Sequence, residues 1–304
     1  MSTPDTPSTV VVTGANGLVG SHVVAALSER GATVRAVVRR PGTAPQLPGV
    51  EERVGDFADP AFASEVTSGS DALVTTVHPM GDDRESQRRV GVDGTLVIAG
   101  AAKDAGAERH VHVSTAAVYD RSPGIGDVSE EGTLVADDAG DYAVVKRDID
   151  AALAELSGTT RVLVRPPAIL GRSEASVWNV LRPAQVASDE GQRHAVADGT
   201  FAWVHVEDLA ALVADVATGR IAAGDDVERG PVAGGCTPVN AAGEPATQRD
   251  YLGTVAPAVG VEATWDDEPA WTGQIATDRA RGWGWEPRVT LDRALTELAD
   301  GLRG

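Results

Sequence analysis

A glycine-rich segment near the start of the chain is the feature that most restricts the fold. The β-branched run 9–13 is typical of a buried strand, and Gly14-Ala-Asn-Gly-Leu-Val-Gly20 follows it directly, before a helix predicted at about 18–30. In such a strand–turn–helix unit the first glycine permits a tight turn, the second lets a phosphate approach the backbone, and the third lets helix and strand pack closely. The N-terminus of the helix adds free N–H groups and a positive dipole end. The segment therefore predicts a dinucleotide site formed by Gly14, Asn16, Gly17, Leu18, Val19 and Gly20.

Strands and helices alternate through the first part of the chain. Further strands are predicted at 33–38, 50–54, 72–77, 110–114 and 161–165, and helices at about 85–105 and 142–156. This alternation predicts an α/β fold with a doubly wound parallel sheet, which is the Rossmann architecture.

The pattern loosens after residue 170, where proline and glycine become frequent. We expect 1–170 to form a dinucleotide-binding domain, to which a strand and a helix within 200–222 return. Segments 171–199 and 223–304 are expected to form a second, smaller mixed α/β substrate domain.

The charge of the chain excludes several classes of partner. With 26 basic and 45 acidic residues the net charge is −19, which repels nucleic acid and anionic membrane surfaces. No apolar run approaches the ~18 residues of a membrane span, and the start lacks the pattern of a secretory signal. The single cysteine, Cys236, excludes an internal disulfide. We therefore expect a cytoplasmic protein that binds a small molecule, and no metal, because histidines and carboxylates lack ligand-like spacing.

Two arginines follow the second predicted strand. An acidic residue at this position would bind the ribose 2′-hydroxyl of NAD and repel a 2′-phosphate, whereas Arg39 and Arg40 suit a phosphate in charge and geometry. The pair favours NADP(H) over NAD, with solvated surface arginines as the alternative. Asp56, after the third strand, is predicted to accept a hydrogen bond from the adenine amino group, with a turn cap as the alternative, and Phe57 is assigned to the same site.

Tyr142 and Lys146 are four residues apart on a predicted helix and therefore share one face. A free tyrosine has a pKa near ~10, but a nearby ammonium group favours the phenolate and lowers that pKa. The phenol can then protonate a carbonyl oxygen as hydride arrives, or deprotonate an alcohol in the reverse direction. Ser114 or Thr115, at the end of the fifth predicted strand, can hold that oxygen. The alternative is a surface lysine beside a half-buried tyrosine.

Together with other segments, these motifs resemble the extended or atypical short-chain dehydrogenase/reductase family, also called the NAD-dependent epimerase/dehydratase family. The matching stretches follow the family order along nearly the whole chain and lie at 13–20, 55–56, 113–119, 142–146, 165–171, 203–210 and 279–287. The resemblance implies that Thr115, Tyr142 and Lys146 form a catalytic triad with Ser114 adjacent, and that Lys146 also contacts the nicotinamide ribose.

The resemblance implies further contacts and an assembly. Pro166 and Pro167 would lie beside the nicotinamide, and Thr75 and Val77 would line the cofactor at the fourth strand. Homodimers formed through the two long helices are common in this family, so a homodimer is implied here as well.

The chain departs from the family pattern at two places. Gly91 stands where a helical asparagine often supports the proton relay. The end of the fourth strand carries His78 and Met80 in place of the usual small residues, and we predict that both face the substrate, with a turn histidine as the alternative for His78. The double proline and the two arginines resemble the atypical reductase branch more than the sugar-nucleotide branch.

The favoured function is that of an NADPH-dependent oxidoreductase, a ketoreductase that transfers hydride to the carbonyl of a small or secondary-metabolite substrate. An aromatic substrate is suggested by three tryptophans that are candidates for a flat apolar pocket, Trp178, Trp203 and Trp271. Packing in the core is the alternative for each of them.

Two other functions remain open. A sugar-nucleotide epimerase, dehydratase or reductase would retain NAD and would use Arg172, Asn179 and Arg182 for the diphosphate, although these are also typical solvated surface groups. A non-catalytic dinucleotide-sensing protein is less favoured, because such relatives tend to lose the tyrosine and lysine that this chain keeps.

Overall fold

The computed structural model describes residues 8–77 and 83–303. The strands are β1 Thr9–Thr13, β2 Thr33–Val38, β3 Val50–Val54, β4 Ala72–Thr75, β5 Arg109–Val113, β6 Thr160–Arg165, β7 Ala168–Leu170, β8 His194–Ala195, β9 Trp203–His205, β10 Cys236–Asn240 and β11 Thr264–Trp265. The α-helices are α1 Leu18–Glu29, α2 Pro60–Thr67, α3 Arg84–Arg88, α4 Thr95–Asp104, α5 Asp141–Ala154, α6 Arg182–Ser188, α7 Val206–Ala217, α8 Gln248–Ala258, α9 Asp278–Gly282 and α10 Leu291–Arg303.

Seven parallel strands form the central sheet in the order β10-β6-β5-β4-β1-β2-β3. The direction in which successive strands are added reverses between β1 and β4, and ligands of such sheets bind in the crevice at this reversal, outside the carboxyl ends of the strands. The predicted doubly wound Rossmann sheet is therefore confirmed, and the glycine-rich turn after β1 lies at the reversal.

Each face of the sheet has its own apolar core. On one face α1 and α7 pack against the sheet through fully buried side chains such as Leu27 and Leu209. On the other face α2, α4 and α5 contribute a second cluster that contains Ile98 and Ile149. Helices on both faces leave only the ends of the parallel strands open to a ligand.

The helix predicted at 85–105 is divided in the structure. A π-helical segment, Arg89–Gly94, joins α3 to α4, and the departure from the family pattern at Gly91 falls inside it. An ideal Cβ on Gly91 would lie 3.0 Å from Cδ1 of Ile149 on α5, so the absent side chain lets the two helices pack closely.

The last strand of the sheet lies in a part of the chain that the sequence assigns to the second domain. β10 pairs with β6 at the sheet edge and contains Pro238, and an edge strand tolerates proline because one side of its backbone needs no partner. Segment 223–304 therefore contributes one strand to the main sheet as well as the helices α8 to α10.

A third apolar cluster surrounds the two-stranded pair of β7 and β9 and includes side chains from α8 and α10. Trp203 of β9 is 1% exposed, and its indole N–H donates to the carbonyl oxygen of Glu244 at 2.9 Å. Within the described ranges 8–77 and 83–303, no helix has the length and hydropathy needed to cross a membrane.

The substitution Gly20→Ala tests the close approach of α1 to the turn that follows β1. An ideal Cβ on Gly20 would lie 2.0 Å from the carbonyl oxygen of Gly14, so the backbone must shift. We expect the free energy of unfolding in urea to fall by ~1–3 kcal/mol. The matched control is Gly100→Ala on α4, where nothing lies within 4 Å and alanine should add ~0.5–1 kcal/mol. Equal effects of the two substitutions would contradict the close approach.

Candidate active site

The glycine-rich turn has the shape that a dinucleotide phosphate requires. Gly14 has φ +67°, which favours glycine, and its carbonyl oxygen accepts a hydrogen bond from the N–H of Gly17 at 2.9 Å. Helix α1 then begins at Leu18 without a side-chain cap, which leaves the N–H groups of its first turn available for an anion. The backbone cradle and the uncapped helix end therefore fit a pyrophosphate.

The end of β4 presses against this turn. An ideal Cβ on Gly14 would lie 2.7 Å from Oγ1 of Thr76 and 2.9 Å from Cγ2 of Val77, and the Thr76 hydroxyl donates to the carbonyl oxygen of Thr13 at 2.7 Å. Sequence analysis did not single out Thr76, although it lies between two residues assigned to the cofactor. The structure brings it and Val77 to the turn.

Thr75 points away from the turn into the core. Its hydroxyl lies 2.9 Å from Nε2 of His110 and 2.8 Å from Nδ1 of His112, and all three side chains are buried. Burial lowers the pKa of His110 to about 3, so this imidazole stays neutral at physiological pH. Any contact of Thr75 with a cofactor would therefore come from its backbone.

Arg39 and Arg40 are exposed on a turn that a carboxylate holds in place. Glu52 of β3 accepts hydrogen bonds from the N–H groups of Gly42 at 2.8 Å and Ala44 at 3.0 Å, and these bonds lower its pKa. Asn16 of the glycine-rich turn lies 3.4 Å from the Thr43 hydroxyl, which links the two turns. No ion pair among the described residues includes either arginine, so both guanidinium groups face solvent beside the glycine-rich turn.

Asp56 caps a turn through one carboxylate oxygen, which accepts from the N–H of Ala58 at 2.9 Å. This is the alternative role considered for it from the sequence. Phe57 is 7% exposed and packs toward Gly94, whose ideal Cβ would lie 3.0 Å from the phenyl ring. Their contact with adenine stays a prediction.

Three residues of the predicted catalytic set meet at the carboxyl end of β5. Burial raises the pKa of the Tyr142 phenol, and the nearby Thr115 hydroxyl opposes this rise. The ammonium group of Lys146, one turn along α5, is buried and donates to the carbonyl oxygen of Val113 at 2.9 Å. Burial lowers the pKa of Lys146 to about 8, against the effect of the Asp150 carboxylate.

A buried ion pair that the sequence analysis missed lies beneath Lys146. Asp150 accepts from Nε of Arg165 at 2.9 Å, and both side chains are at most 6% exposed. Burial raises the pKa of Asp150, and Arg165, Ser114 and Lys146 act against this rise. Neither Ser114 Oγ nor Asp150 Oδ1 forms a hydrogen bond of standard geometry. The Ser114 hydroxyl nevertheless lies close enough to Asp150 to stabilise its ionised form. The spacing of Tyr142, Lys146 and Asp150, which repeats every four residues on one helix face, was a signal for Asp150 but not for its partner Arg165.

Hydrogen bonds connect the Asp150–Arg165 ion pair to β10 at the edge of the sheet. Arg165 donates from Nη1 to the Tyr119 hydroxyl at 2.8 Å, and this hydroxyl donates to Oδ1 of Asn240 on β10 at 2.9 Å. The guanidinium carbon of Arg165 also lies 5.1 Å from the centroid of the Tyr119 ring. Residues from β5, α5, β6 and β10 thus hold the Lys146 side of the site together.

Pro166 closes the same region at the end of β6. It is buried, and its carbonyl oxygen accepts from the N–H of Ala116 at 2.8 Å, directly after Thr115. Pro167 is half-buried. The segments after β5 and β6 are therefore joined next to the catalytic candidates.

An open cleft of ≈ 570 Å³ has a lining that includes Trp178, Trp271 and Arg182. Trp203, by contrast, belongs to the core, because its buried ring packs under Gly243 and leaves no face for a substrate. The predicted substrate residues His78 and Met80 lie outside the described residues.

The three residues considered for binding a diphosphate lie in different surroundings. Asn179 is 9% exposed and accepts from the N–H of Gly171 at 2.9 Å and from the Ser176 hydroxyl at 3.3 Å, so it supports local backbone structure. Arg172 is exposed. Of the three, only Arg182 lines the cleft.

Residues 14–217 match the family described as NAD(P)H-binding. The chain is 31% identical over 217 residues to Sterol demethylase protein B from Methylococcus capsulatus, covering 67% of this chain and 64% of that protein. It is 29% identical over 232 residues to Cinnamoyl-CoA reductase 1 from Petunia hybrida, covering 66% of each. A short-chain dehydrogenase/reductase superfamily protein from Agrobacterium tumefaciens, solved with bound NAD, shares the fold with a TM-score of 0.74 at 23% identity, over 97% of both chains.

The parallel sheet, the glycine-rich turn at its strand reversal and the family match together define a nicotinamide dinucleotide-binding protein. The chain belongs to the NAD(P)H-binding family, and its resemblance to the extended short-chain dehydrogenase/reductases is confirmed. It spans 64% and 66% of the length of the two relatives named above, in each case slightly less than two thirds. The homodimer stays a prediction.

The substitution Asp150→Asn tests the buried ion pair. It leaves Arg165 buried without its counter-ion, and we expect the free energy of unfolding to fall by about 3–5 kcal/mol. The matched control is Asp148→Asn on the same helix. Asp148 pairs with Arg147 at 3.0 Å and with Arg88 of α3 in a more exposed setting, and each of these pairs should contribute at most about 1 kcal/mol. Urea unfolding of the two variants measures both effects. A similar small loss in each would show that the buried pair contributes little.

Proposed function

We propose that this protein is an NADPH-dependent oxidoreductase that reduces the carbonyl group of a small, apolar or aromatic substrate. The observation that carries the proposal is the position of Tyr142, which lies near the Thr115 hydroxyl and one helical turn from a buried lysine whose ammonium group is held at the end of β5. Bound NADPH would supply the hydride that the carbonyl carbon receives. In this proposal the dinucleotide binds to 1–170 with 200–222, and the second region holds the substrate.

Tyr142 provides the proton. Because burial raises its pKa, the phenol keeps its proton at neutral pH and suits the direction of reduction. As the carbon accepts hydride, the carbonyl oxygen takes the phenolic proton and becomes a hydroxyl group, while Tyr142 becomes a phenolate. The Thr115 hydroxyl, which lies near the phenol, would donate to the same oxygen as negative charge develops.

Lys146 stabilises the phenolate that this step leaves. With a pKa of about 8 it is mostly protonated at neutral pH, and its charge lies one helical turn from Tyr142. The Asp150 carboxylate favours that protonated state, and the carbonyl oxygen of Val113 fixes the direction of the ammonium group. The same ammonium group is assigned to the nicotinamide ribose by the family resemblance.

Arg39 and Arg40 support NADPH as the dinucleotide. Both are free of carboxylate partners within the described residues and follow β2, where the ribose 2′ position is recognised in this fold. The nearby Glu52 carboxylate, which would repel a phosphate, is occupied by two backbone N–H groups. A 2′-phosphate would therefore meet two cations near a carboxylate that stays charged but whose two oxygens already accept hydrogen bonds.

The substitution Tyr142→Phe is expected to reduce turnover of ketones with NADPH at least ~10²-fold, because it removes the proton donor and leaves the ring. The dissociation constant for NADPH, measured by cofactor fluorescence, should stay within about threefold of wild type, since the phosphate cradle is distant on the chain. Unchanged turnover in the variant would support a protein that senses the dinucleotide without catalysis.

The double substitution Arg39→Gln/Arg40→Gln is expected to weaken NADPH binding about 10- to 100-fold, because two charge-assisted contacts to the 2′-phosphate are lost. NADH binding should change little. The matched control is Arg53→Gln on β3, whose guanidinium already pairs with Glu51 at 2.7 Å. Fluorescence titration with both dinucleotides measures the effect. Equal weakening for NADH, or copurification with tightly bound NAD, would refute the preference and favour the sugar-nucleotide alternative.

A further inference from the structure

The cleft of ≈ 570 Å³ contains cations as well as aromatic rings. Arg121, Arg182 and His194 all line it, and they lie in three different segments of the chain. His194 is paired with Asp266 at 3.0 Å. Among residues 8–77 and 83–303 neither arginine takes part in an ion pair, which is notable in a chain with a net charge of −19.

Arg121 is held in a half-buried position without an acidic partner. Its guanidinium carbon lies 5.6 Å from the centroid of the Trp271 ring, and the Trp271 indole N–H is fixed by the carbonyl oxygen of Gly126 at 3.0 Å. Burial lowers the pKa of Arg121, but an arginine remains charged at any physiological pH. A desolvated guanidinium that stacks on one face and has no carboxylate partner keeps its N–H donors available for an anionic ligand.

Arg182 adds a second positive charge at the same cleft. Its Nη2 donates to the carbonyl oxygen of Gln192 at 3.3 Å, which orients the side chain and leaves most of its donors unused by described residues. Tyr251, which also lines the cleft, feels this charge, because Arg182 acts to lower a tyrosine pKa that burial raises.

We propose that Arg121, stacked on Trp271 and supported by Arg182, binds an oxyanion of the substrate, a carboxylate or a phosphate, while the adjacent aromatic rings hold its apolar part. This inference rests on the proposed function, since it names the substrate class for that site. The substrate would thus be an anionic carbonyl compound with an apolar body.

The cleft is connected to the catalytic candidates through the chain and through packing. Arg121 follows Thr115 by six residues, which places the two at most about 20 Å apart along the backbone. Trp271 belongs to the apolar cluster that contains Ala116 and Val118, the turn directly after Thr115. Neither Thr115 nor Tyr142 lines the cleft, so a substrate with its oxyanion on Arg121 must extend out of the cleft to bring its carbonyl to Tyr142.

The aromatic side chains form rigid walls for the apolar part. Trp178 packs edge-to-face against Tyr251 at 5.5 Å between ring centroids, and the Tyr251 hydroxyl donates to the carbonyl oxygen of Trp178 at 2.7 Å. Tyr251 also stacks on Phe201 at 4.2 Å. Because these rings support one another, they offer a preorganised surface that loses little entropy on binding.

The test uses 4-acetylphenoxyalkanoic acids with linkers of increasing length, their primary amides, and the corresponding 4-acetylphenoxyalkyl phosphates. Binding to the protein saturated with NADP⁺ is measured by calorimetry, and NADPH oxidation measures turnover. For wild type we expect the best acid or phosphate to bind about 10- to 100-fold more tightly than the amide of equal length. The comparison of acid with phosphate identifies which oxyanion the site prefers.

Arg121→Gln should remove this preference by weakening binding of the anion far more than binding of the amide, whereas Arg121→Lys should retain part of it. The control is Arg229→Gln, since the Arg229 side chain is 86% exposed and lies outside the cleft lining. If Arg121→Gln does not fold, the wild-type protein provides the test. A preference for the anion over the amide that disappears in high salt would support the inference, and equal affinities at low salt would refute it. Equal affinity for anion and amide, or a preference that survives Arg121→Gln, overturns the inference.

The two proposals can fail separately. Reduction of the amides that depends on Tyr142 would uphold the oxidoreductase even if Arg121 contributes nothing. Binding of the anions through Arg121 without any NADPH oxidation would uphold the oxyanion site and refute the reductase.

Discussion

The contact between the start of α1 and the turn after β1 is the constraint on which the rest of this site depends. With no side chain at Gly20, the helix approaches so closely that an ideal Cβ would lie 2.0 Å from the Gly14 carbonyl oxygen. This contact aims the uncapped helix end at the strand reversal between β1 and β4, where Thr76 and Val77 meet the turn. A larger residue would move the helix end, and a phosphate cradle made of backbone groups has no side chain that could compensate.

A second constraint is the burial of three charged side chains beside the catalytic candidates. Lys146, Asp150 and Arg165 are all nearly inaccessible, and burying isolated ions would cost several kcal/mol, or about a thousandfold or more in the folding equilibrium. The arrangement offsets this cost because one carboxylate lies between two cations and because Tyr119 and Asn240 extend the network. Its consequence for function is a lysine whose pKa lies near 8 and whose position is fixed by β5, rather than a flexible surface ammonium.

Local features of this chain were predictable from the sequence, and long-range ones were not. The bounds of β2 and β3 matched prediction because β-branched residues lie at both ends of each strand and turn residues flank them. The sequence also identified Tyr142 and Lys146, since a helix fixes their spacing. The partnership of Asp150 with Arg165 joins a helix to a strand 15 residues away, and no local pattern reveals it.

The errors of interpretation have similar physical causes. β10 contains a proline that argues against a strand, and only its position at the sheet edge makes the proline acceptable. Trp203 shares its residue type with Trp178 and Trp271, but its burial follows from the pairing of β9 with β7, which the sequence does not encode locally. The tertiary structure is therefore needed to tell which aromatic residues of a substrate region lie in the core and which line the cleft.

The net charge of −19 gives the arginines of the two ligand regions a particular importance. At a distance the molecule repels a phosphorylated dinucleotide or an anionic substrate, and salt weakens that repulsion because the Debye length is about 8–10 Å at physiological ionic strength. Close to Arg39 and Arg40, or to Arg121, the interaction is attractive and short-ranged. Moderate salt should therefore speed the association of an anionic ligand while it weakens the final contacts with the arginines. The charge pattern thus favours ligands that accept hydrogen bonds from these arginines over ligands attracted only by the net charge of the protein.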